Sequence, residues 1–377
     1  DLSAAANERA GLGRYASRLA LALMKQGVQL TAFVNNLSES HLQPPLSDLP
    51  VLTAGLPRKR WRLRAAASYF GAPGLDRVFP GVRLFHATEH LLPRLSQARS
   101  VFTLHDTAYI HQPQYHLPRN RLYLRLMMPR FLARSDAVIT VSDHTRRDAE
   151  RWYGLRGDRV YVIPEGVEDY FRPDIDANAL ADVRARYHLP ARFILFVGTI
   201  EPRKNLITLL EAYAALRAGG CHPGVGLVIA GGKGWLYGDF FERLRTLGLE
   251  GAVVLTGYVP EADLPALLNC AEVFAFPSSF EGFGLPPLEA MASGVPVVCS
   301  NATSLPEVVG DAGLLLAPDD PAAWTEALGR LLADANLRAD LRARGLARAR
   351  LFTWEAAARK TLAVYQAVAG GSRAGGI

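Results

Sequence analysis

The stretch Ser278-Ser-Phe-Glu-Gly-Phe-Gly-Leu-Pro-Pro-Leu-Glu-Ala-Met-Ala-Ser-Gly294 decides the fold, because it joins a glycine-rich turn, a helix start and two glutamates in one short run. Ahead of it, Glu272-Val-Phe-Ala-Phe276 is an apolar run stopped by Pro277, which suits a buried strand. Behind the turn, Pro286 to Met291 has helix-start chemistry and Gly294 suits a helix end. The order strand, glycine loop, helix aims the N–H groups of Gly282, Phe283, Gly284 and Leu285, with the positive end of the helix dipole, at whatever occupies the turn. Such a site favours phosphate. Glu281 precedes the turn and Glu289 follows about one turn into the helix, so both carboxylates are expected to border one pocket. Beside a phosphate their work is to accept hydrogen bonds from hydroxyls of a sugar and a ribose. Two solvated glutamates flanking a surface loop are the plain alternative, and the flanking strand and helix weigh against it.

The same unit recurs along the chain. In the second half, Arg192 to Gly198, Gly226 to Ala230 and Val253 to Gly257 read as strands ending in glycine-rich loops, and a helix is expected from about Asn205 to Leu216. In the first half, Val28–Val34, Val82–His86, Val101–His105, Asp136–Val141 and Arg159–Pro164 alternate with helical stretches. Repeats of this length predict an α/β protein with doubly wound parallel sheets, in which ligands bind beyond the carboxyl ends of strands. A chain of 377 residues exceeds one ordinary core, so two Rossmann-like domains are expected, 1–173 and 191–352, facing across a cleft. Residues 174–190 read as the linker, Glu307 to Ala343 as two amphipathic helices, and about 353–368 as a last helix packing back on the first domain. Asp174-Ile-Asp176 resembles a metal-binding D-x-D, but no buried strand precedes it.

The net charge of +6 is unevenly placed, since residues 1–190 hold 26 Lys and Arg against 18 Asp and Glu. Within that half, Pro57-Arg-Lys-Arg-Trp-Arg-Leu-Arg64 has the composition of a segment that rests on an anionic membrane; a solvated helix face is the alternative. No zinc-finger, RNP-like or helix-turn-helix pattern accompanies the charge, so nucleic acid is not an expected partner. No apolar run reaches the length of a membrane span and no signal peptide opens the chain, so a cytoplasmic protein is expected, peripheral on the inner membrane face if the basic run binds lipid. Cys221, Cys270 and Cys299 lack metal-ligand spacing and read as reduced. The tail Gly370 to Ile377 is small and polar and is expected to be mobile.

The stretch around Glu281 and Glu289 resembles the E-x7-E signature of retaining, nucleotide-sugar-dependent glycosyltransferases of family 4, which have the GT-B fold. Gly198-Thr-Ile-Glu-Pro-Arg-Lys-Asn-Leu206, Val228-Ile-Ala-Gly-Gly232, Leu255-Thr-Gly-Tyr-Val259 and Pro296-Val-Val-Cys-Ser300 fall in that family's order. The resemblance implies catalytic roles for His105, Lys204 and Glu281. It places Arg203 and Lys204 on the donor diphosphate, Gly231 near the nucleotide, and Tyr258 against the base. Thr199 is counted with the donor-binding residues although it departs from the pattern, since many relatives have arginine there. Gly282, Phe283, Gly284, Leu285 and Glu289 complete the donor set, and Gly11 with Gly13 are expected to form a second glycine loop, ahead of a helix from Arg14 to Lys25, facing donor and acceptor. His105-Asp106 matches a His-Asp pair set against the transferred sugar, whereas His86, His90 and His111 read as structural histidines.

No enzyme nucleophile is evident, and the resemblance implies retention of configuration, with the leaving phosphate helping to deprotonate the acceptor on the same face; because no buried strand precedes the D-x-D, chemistry without a metal is expected, and no other cofactor. The wording resembles bacterial mannosyl- and rhamnosyltransferases of O-antigen or exopolysaccharide synthesis, with GDP-mannose the leading donor and a saccharide or lipid-linked acceptor. UDP-hexoses and dTDP-rhamnose stay open as donors. Two other classes stay open as well, a non-transferring GT-B enzyme such as a UDP-sugar epimerase and a silent sugar-binding scaffold. The opening Asp1 to Tyr15 begins where a first strand should already have ended, so either a few residues are missing ahead of it or the first sheet is one strand short.

Overall fold

Phe193-Ile-Leu-Phe196 and Val273-Phe-Ala-Phe276 are apolar at every position, a pattern that only a strand covered on both faces can bury. All of these side chains are buried. In the computed structural model, which describes residues 1–7, 10–36 and 41–370, they form central strands of one of two α/β units. The first unit runs from Asp1 to Gly166 and regains the chain from Thr353; the second is Val167–Phe352. The division therefore falls at Gly166 rather than at 173. The expected mobile tail beyond Gly370 lies outside the described residues.

The first unit holds β1 (Ala32–Val34) and β2 (Val51–Thr53) as a parallel pair, and β3 (Leu84–Ala87), β4 (Arg99–Leu104), β5 (Ala137–Thr140) and β6 (Val160–Val162) as a four-stranded parallel sheet in that order. Between the two lie the first residues of the chain: the Leu2 N–H donates to the Phe33 carbonyl at 2.9 Å and the Asp1 ammonium to the His86 carbonyl at 2.8 Å. Helix Trp354–Gly370 packs on helix Ala10–Lys25, and Gln26 Nε2 donates to the Glu355 carbonyl at 2.9 Å.

The second unit is a six-stranded parallel sheet built from β7 (Arg192–Val197), β8 (Val225–Ala230), β9 (Val253–Gly257), β10 (Val273–Phe276), β11 (Val297–Ser300) and β12 (Gly313–Leu316), in the order β12-β11-β10-β7-β8-β9. The strand order reverses between β7 and β10, the usual ligand position in such sheets.

Several expectations are corrected. Gly11 and Gly13 are not a loop: both lie inside helix Ala10–Lys25. A Cβ at Gly13 would stand 2.9 Å from the Ala4 carbonyl oxygen, so this glycine admits the close crossing of helix Ser3–Ala6. The linker 174–190 is largely helix Ala177–Arg186, capped by Asp176, whose carboxylate accepts the Asn178 N–H at 2.9 Å. That cap accounts for the second aspartate of the D-x-D. Glu307 to Ala343 contains β12 besides its helices, a four-residue edge strand too short to show a period. Trp61 does not face a membrane: on helix Arg58–Ala67 it points inward, 1% exposed, and packs against Phe33 with ring centroids 5.2 Å apart.

Candidate active site

After β10 the chain turns at Pro277 and Ser278 and enters helix Leu285–Ala292, whose first turn holds Pro286 and Pro287. Pinning of the turn comes from a segment that the sequence did not single out. Thr303 Oγ1 accepts the Glu281 N–H and donates to the Glu281 carbonyl, both at 2.9 Å. Ser304 Oγ donates to the carbonyls of Glu281 and Phe283 at 2.9 and 2.7 Å. Thr303 holds φ +53°, a strained value for a β-branched residue that surrounding contacts must maintain. Gly284 has φ +127°, and a Cβ there would meet Leu305 at 2.8 Å. The N–H groups of Phe283, Gly284 and Leu285 donate to no protein acceptor among the described residues. They remain available at the helix start, and Gly282 precedes them in the same turn.

Glu281 stands at the centre of a buried ionic cluster. Its Oε1 accepts from Lys204 Nζ at 2.5 Å and from Ser278 Oγ at 2.6 Å, and its Oε2 accepts from Arg203 Nη1 at 3.0 Å. Arg203 Nη2 also reaches Glu201 Oε1 at 2.7 Å. Burial alone would raise the Glu281 pKa, but Arg203, Lys204 and Ser278 overcome it and hold the carboxyl down at about 2. Burial pushes the Lys204 ammonium below its ordinary value, and Glu281 opposes the shift. The Lys204 ammonium also lies 5.0 Å from the Phe276 ring centroid. The cations can reach Glu281 because Pro202–Lys204 is a single 3-10 turn at the mouth of β7, followed by Asn205 in the left-handed region at φ +52°.

Gly231 and Gly198 bring two strand-end loops into backbone contact: a Cβ at Gly231 would stand 1.9 Å from the Gly198 carbonyl oxygen. Thr199 lies in this junction, where its methyl would meet a Cβ at Gly234 at 2.7 Å. Tyr258, just past β9, is 76% exposed, so it is not a core residue and its ring is open to a ligand. Glu289 is buried in helix Leu285–Ala292. The structure thus gathers Arg203, Lys204 and Glu281 and adds Glu201, Ser278, Thr303 and Ser304, which sequence reasoning missed.

In the first unit, His105 is the residue after β4, buried, with Nε2 3.0 Å from the Thr88 carbonyl oxygen. A carbonyl can only accept, so Nε2 carries the proton and Nδ1 is the nitrogen left for chemistry. Nδ1 stands 3.6 Å from Oε1 of the buried Glu165. The Tyr15 ring lies edge-on to His105 at 4.6 Å, and its hydroxyl shares a 2.9 Å hydrogen bond with Thr103 Oγ1. His86 is structural: its nitrogens meet Thr103 Oγ1 and the Tyr365 hydroxyl, each at 2.7 Å, and burial pushes its pKa well below the ordinary value. His111 pairs with Asp148 at 2.9 Å. Among the described residues no three His, Cys, Asp or Glu are grouped to hold a metal ion, and no helix is long and apolar enough to cross a membrane.

The chain thus has two parallel α/β units, one with a cation pair beside a glycine-rich helix start. Residues 186–348 match the model of glycosyl transferases group 1, and residues 9–170 that of glycosyltransferase family 4. O-antigen chain mannosyltransferase B of Escherichia coli is 36% identical over 82% of this chain and 77% of that protein. The serotype-specific mannosyltransferase WbdA of Escherichia coli is 34% identical over 59% of this chain, a stretch that spans only 27% of its own length. Sucrose-phosphate synthase of Thermosynechococcus elongatus shares the fold at a TM-score of 0.76 and 24% identity, with 98% of each chain covered. The chain belongs to the group 1 glycosyltransferases and is an enzyme of the GT-B fold.

Proposed function

We propose that this glycosyltransferase moves mannose from GDP-mannose to a saccharide or lipid-linked acceptor in cell-surface polysaccharide synthesis, with retention of configuration and without a metal ion. The observation that carries the reading is the Arg203–Lys204–Glu281 cluster beside the open N–H groups of Phe283, Gly284 and Leu285. In this reading the second unit holds the donor. Arg203 and Lys204 stabilise the diphosphate as negative charge grows on it, Glu289 and the remaining lone pair of Glu281 accept from sugar and ribose hydroxyls, and Tyr258 covers the base. Mannose is supported by the likeness to O-antigen chain mannosyltransferase B.

The first unit takes the acceptor, with His105 Nδ1 beside its hydroxyl. The acceptor oxygen bonds to the anomeric carbon as the bond to the diphosphate breaks on the same face, and the hydroxyl proton passes to the departing phosphate oxygen. The test is a thermal-shift panel of GDP-mannose, UDP-hexoses and dTDP-rhamnose with EDTA and again with magnesium, followed by NMR of the product anomer. Stabilisation by GDP-mannose that EDTA leaves intact, with an α-linked product, is expected. Preference for another base, a requirement for magnesium or an inverted product would refute the corresponding part.

The same reading places the enzyme in the cytoplasm, resting on the membrane through helices Arg58–Ala67 and Pro118–Arg134. Neither helix contains an acidic residue. They expose Leu63 (68%) and Leu122 (69%) beside Lys59, Arg60, Arg64, Arg119 and Arg125, and Arg130 of the second helix stacks at 4.6 Å over Phe70, just beyond the end of the first. Cations around exposed leucines suit an anionic interface. Co-sedimentation should show at least about tenfold stronger binding to phosphatidylglycerol-containing vesicles than to neutral ones, and the double substitution Leu63→Glu, Leu122→Glu should abolish the difference. Equal binding to both vesicle types would exclude the lipid contact.

A further inference from the structure

Between helix Arg58–Ala67, the loop after β3 and helix Pro118–Arg134, the first unit has a recess of about 410 Å³, its open mouth included. Arg58, Arg62, Glu89, His90 and Asn120 supply its polar lining, and two leucines supply an apolar wall. On a helix, positions 58 and 62 share a face, so these two arginines turn toward the recess while Arg60, Leu63 and Arg64 are exposed elsewhere on the helix.

Arg62 is held in place. Its Nη2 donates to Asn120 Oδ1 at 2.8 Å, and its guanidinium lies 3.5 Å from the Tyr123 ring centroid. Burial pushes its pKa below that of an ordinary arginine, yet guanidinium stays charged. Arg58 Nη2 approaches the buried Glu89 Oε2 only to 3.9 Å, too far for a hydrogen bond. Two guanidinium groups thus face one carboxylate, leaving a surplus positive charge even with His90 neutral. His90 also ties the recess to the chemistry, because its ring lies 6.1 Å from that of His105.

We infer that this recess binds the acceptor through an anionic group, a phosphate or a carboxylate, carried by the saccharide near the hydroxyl that receives the sugar. Arg58 and Arg62 take the anion as planar forks, Glu89 accepts from a neighbouring hydroxyl, and the apolar wall covers one face of the ring. The inference rests on the transferase reading, since His105 is what makes the site an acceptor site.

The test titrates the full chain at about 0.15 M salt with methyl α-mannoside, mannose 6-phosphate and methyl glucuronide, in wild type, Arg58→Gln and Arg62→Gln. One anionic probe should bind at least about tenfold tighter than the neutral one, and either substitution should shrink that preference to within about threefold. Whether phosphate or carboxylate wins identifies the group. Equal binding of all three probes, no binding of any, or a preference that survives both substitutions would overturn the inference. Arg58→Gln changes an exposed residue at a helix start, so it keeps the test decisive if Arg62→Gln misfolds. A donor thermal shift on the same samples separates the two readings: anionic preference with no donor shift removes the donor assignment and leaves the anion-binding recess, and a donor shift with no preference removes the recess alone.

Discussion

Glu281→Ala should lower kcat/KM by about 10³-fold and destabilise the second unit by about 3 kcal/mol. Both losses come from the same contacts. The carboxylate is the partner of two cations, Lys204 at 2.5 Å and Arg203 at 3.0 Å, and removing one member of a buried ionic cluster leaves the others desolvated without compensation. Burial then acts on Lys204 with only Glu201 left to oppose it, so the substitution weakens the hold on a phosphate-binding cation along with removing the carboxylate. Lys204→Ala and Glu281→Ala should therefore be far from additive. Glu281→Gln keeps the shape and loses the charge, and should still cost at least about tenfold. An unaltered kcat/KM for the donor in Glu281→Ala would show that the donor site has been misplaced.

The pH dependence of that variant follows from the direction of the shift. Glu281 titrates at about 2 in the folded protein, against an ordinary value of 4.5. A depressed carboxyl contributes stability that is complete above the unfolded value and disappears as pH falls through the folded one. Wild-type melting temperature should thus fall between about pH 4.5 and pH 2 by more than that of Glu281→Ala, which lacks the component.

The two-unit α/β fold and the family were legible because their signals are local. Val273-Phe-Ala-Phe276 followed by proline, glycines and a helix start can form only a few structures, and each strand-loop-helix unit repeats that logic. What escaped was set by contacts distant in sequence or by elements too short to carry a period. Thr303 and Ser304 hold the Glu281 turn from 22 and 23 residues away, and nothing in Asn301-Ala-Thr-Ser304 announces it. Gly313-Leu-Leu-Leu316 pairs with β11 as an edge strand, yet reads as part of a helical stretch. Trp61 looked interfacial within its basic run, but the helical period turns it inward against Phe33. Gly13 looked like loop chemistry, whereas its lack of a side chain serves a helix crossing.

His105→Ala should reduce kcat by at least about 10²-fold while leaving the donor-induced thermal shift unchanged, because the donor groups belong to the other unit. Its place at the carboxyl end of β4 was readable from sequence; Glu165 was not, lying 60 positions on in a Pro-Glu-Gly turn. Glu165 sets its carboxylate near the reactive nitrogen, too far to share a hydrogen bond with it but close enough to act on it through charge. Nε2 is committed to the Thr88 carbonyl at 3.0 Å, so the ring cannot turn over without losing that bond, and Nδ1 faces the Glu165 carboxylate at 3.6 Å. Tyr15 closes the other side with its ring at 4.6 Å. Glu165→Gln preserves the packing and removes the charge, so kcat should fall about tenfold with KM for the acceptor nearly constant. A purely structural Glu165 would instead lower melting temperature without that split. A loss of less than about threefold in His105→Ala would remove His105 from the chemistry and leave the acceptor hydroxyl to the departing phosphate alone.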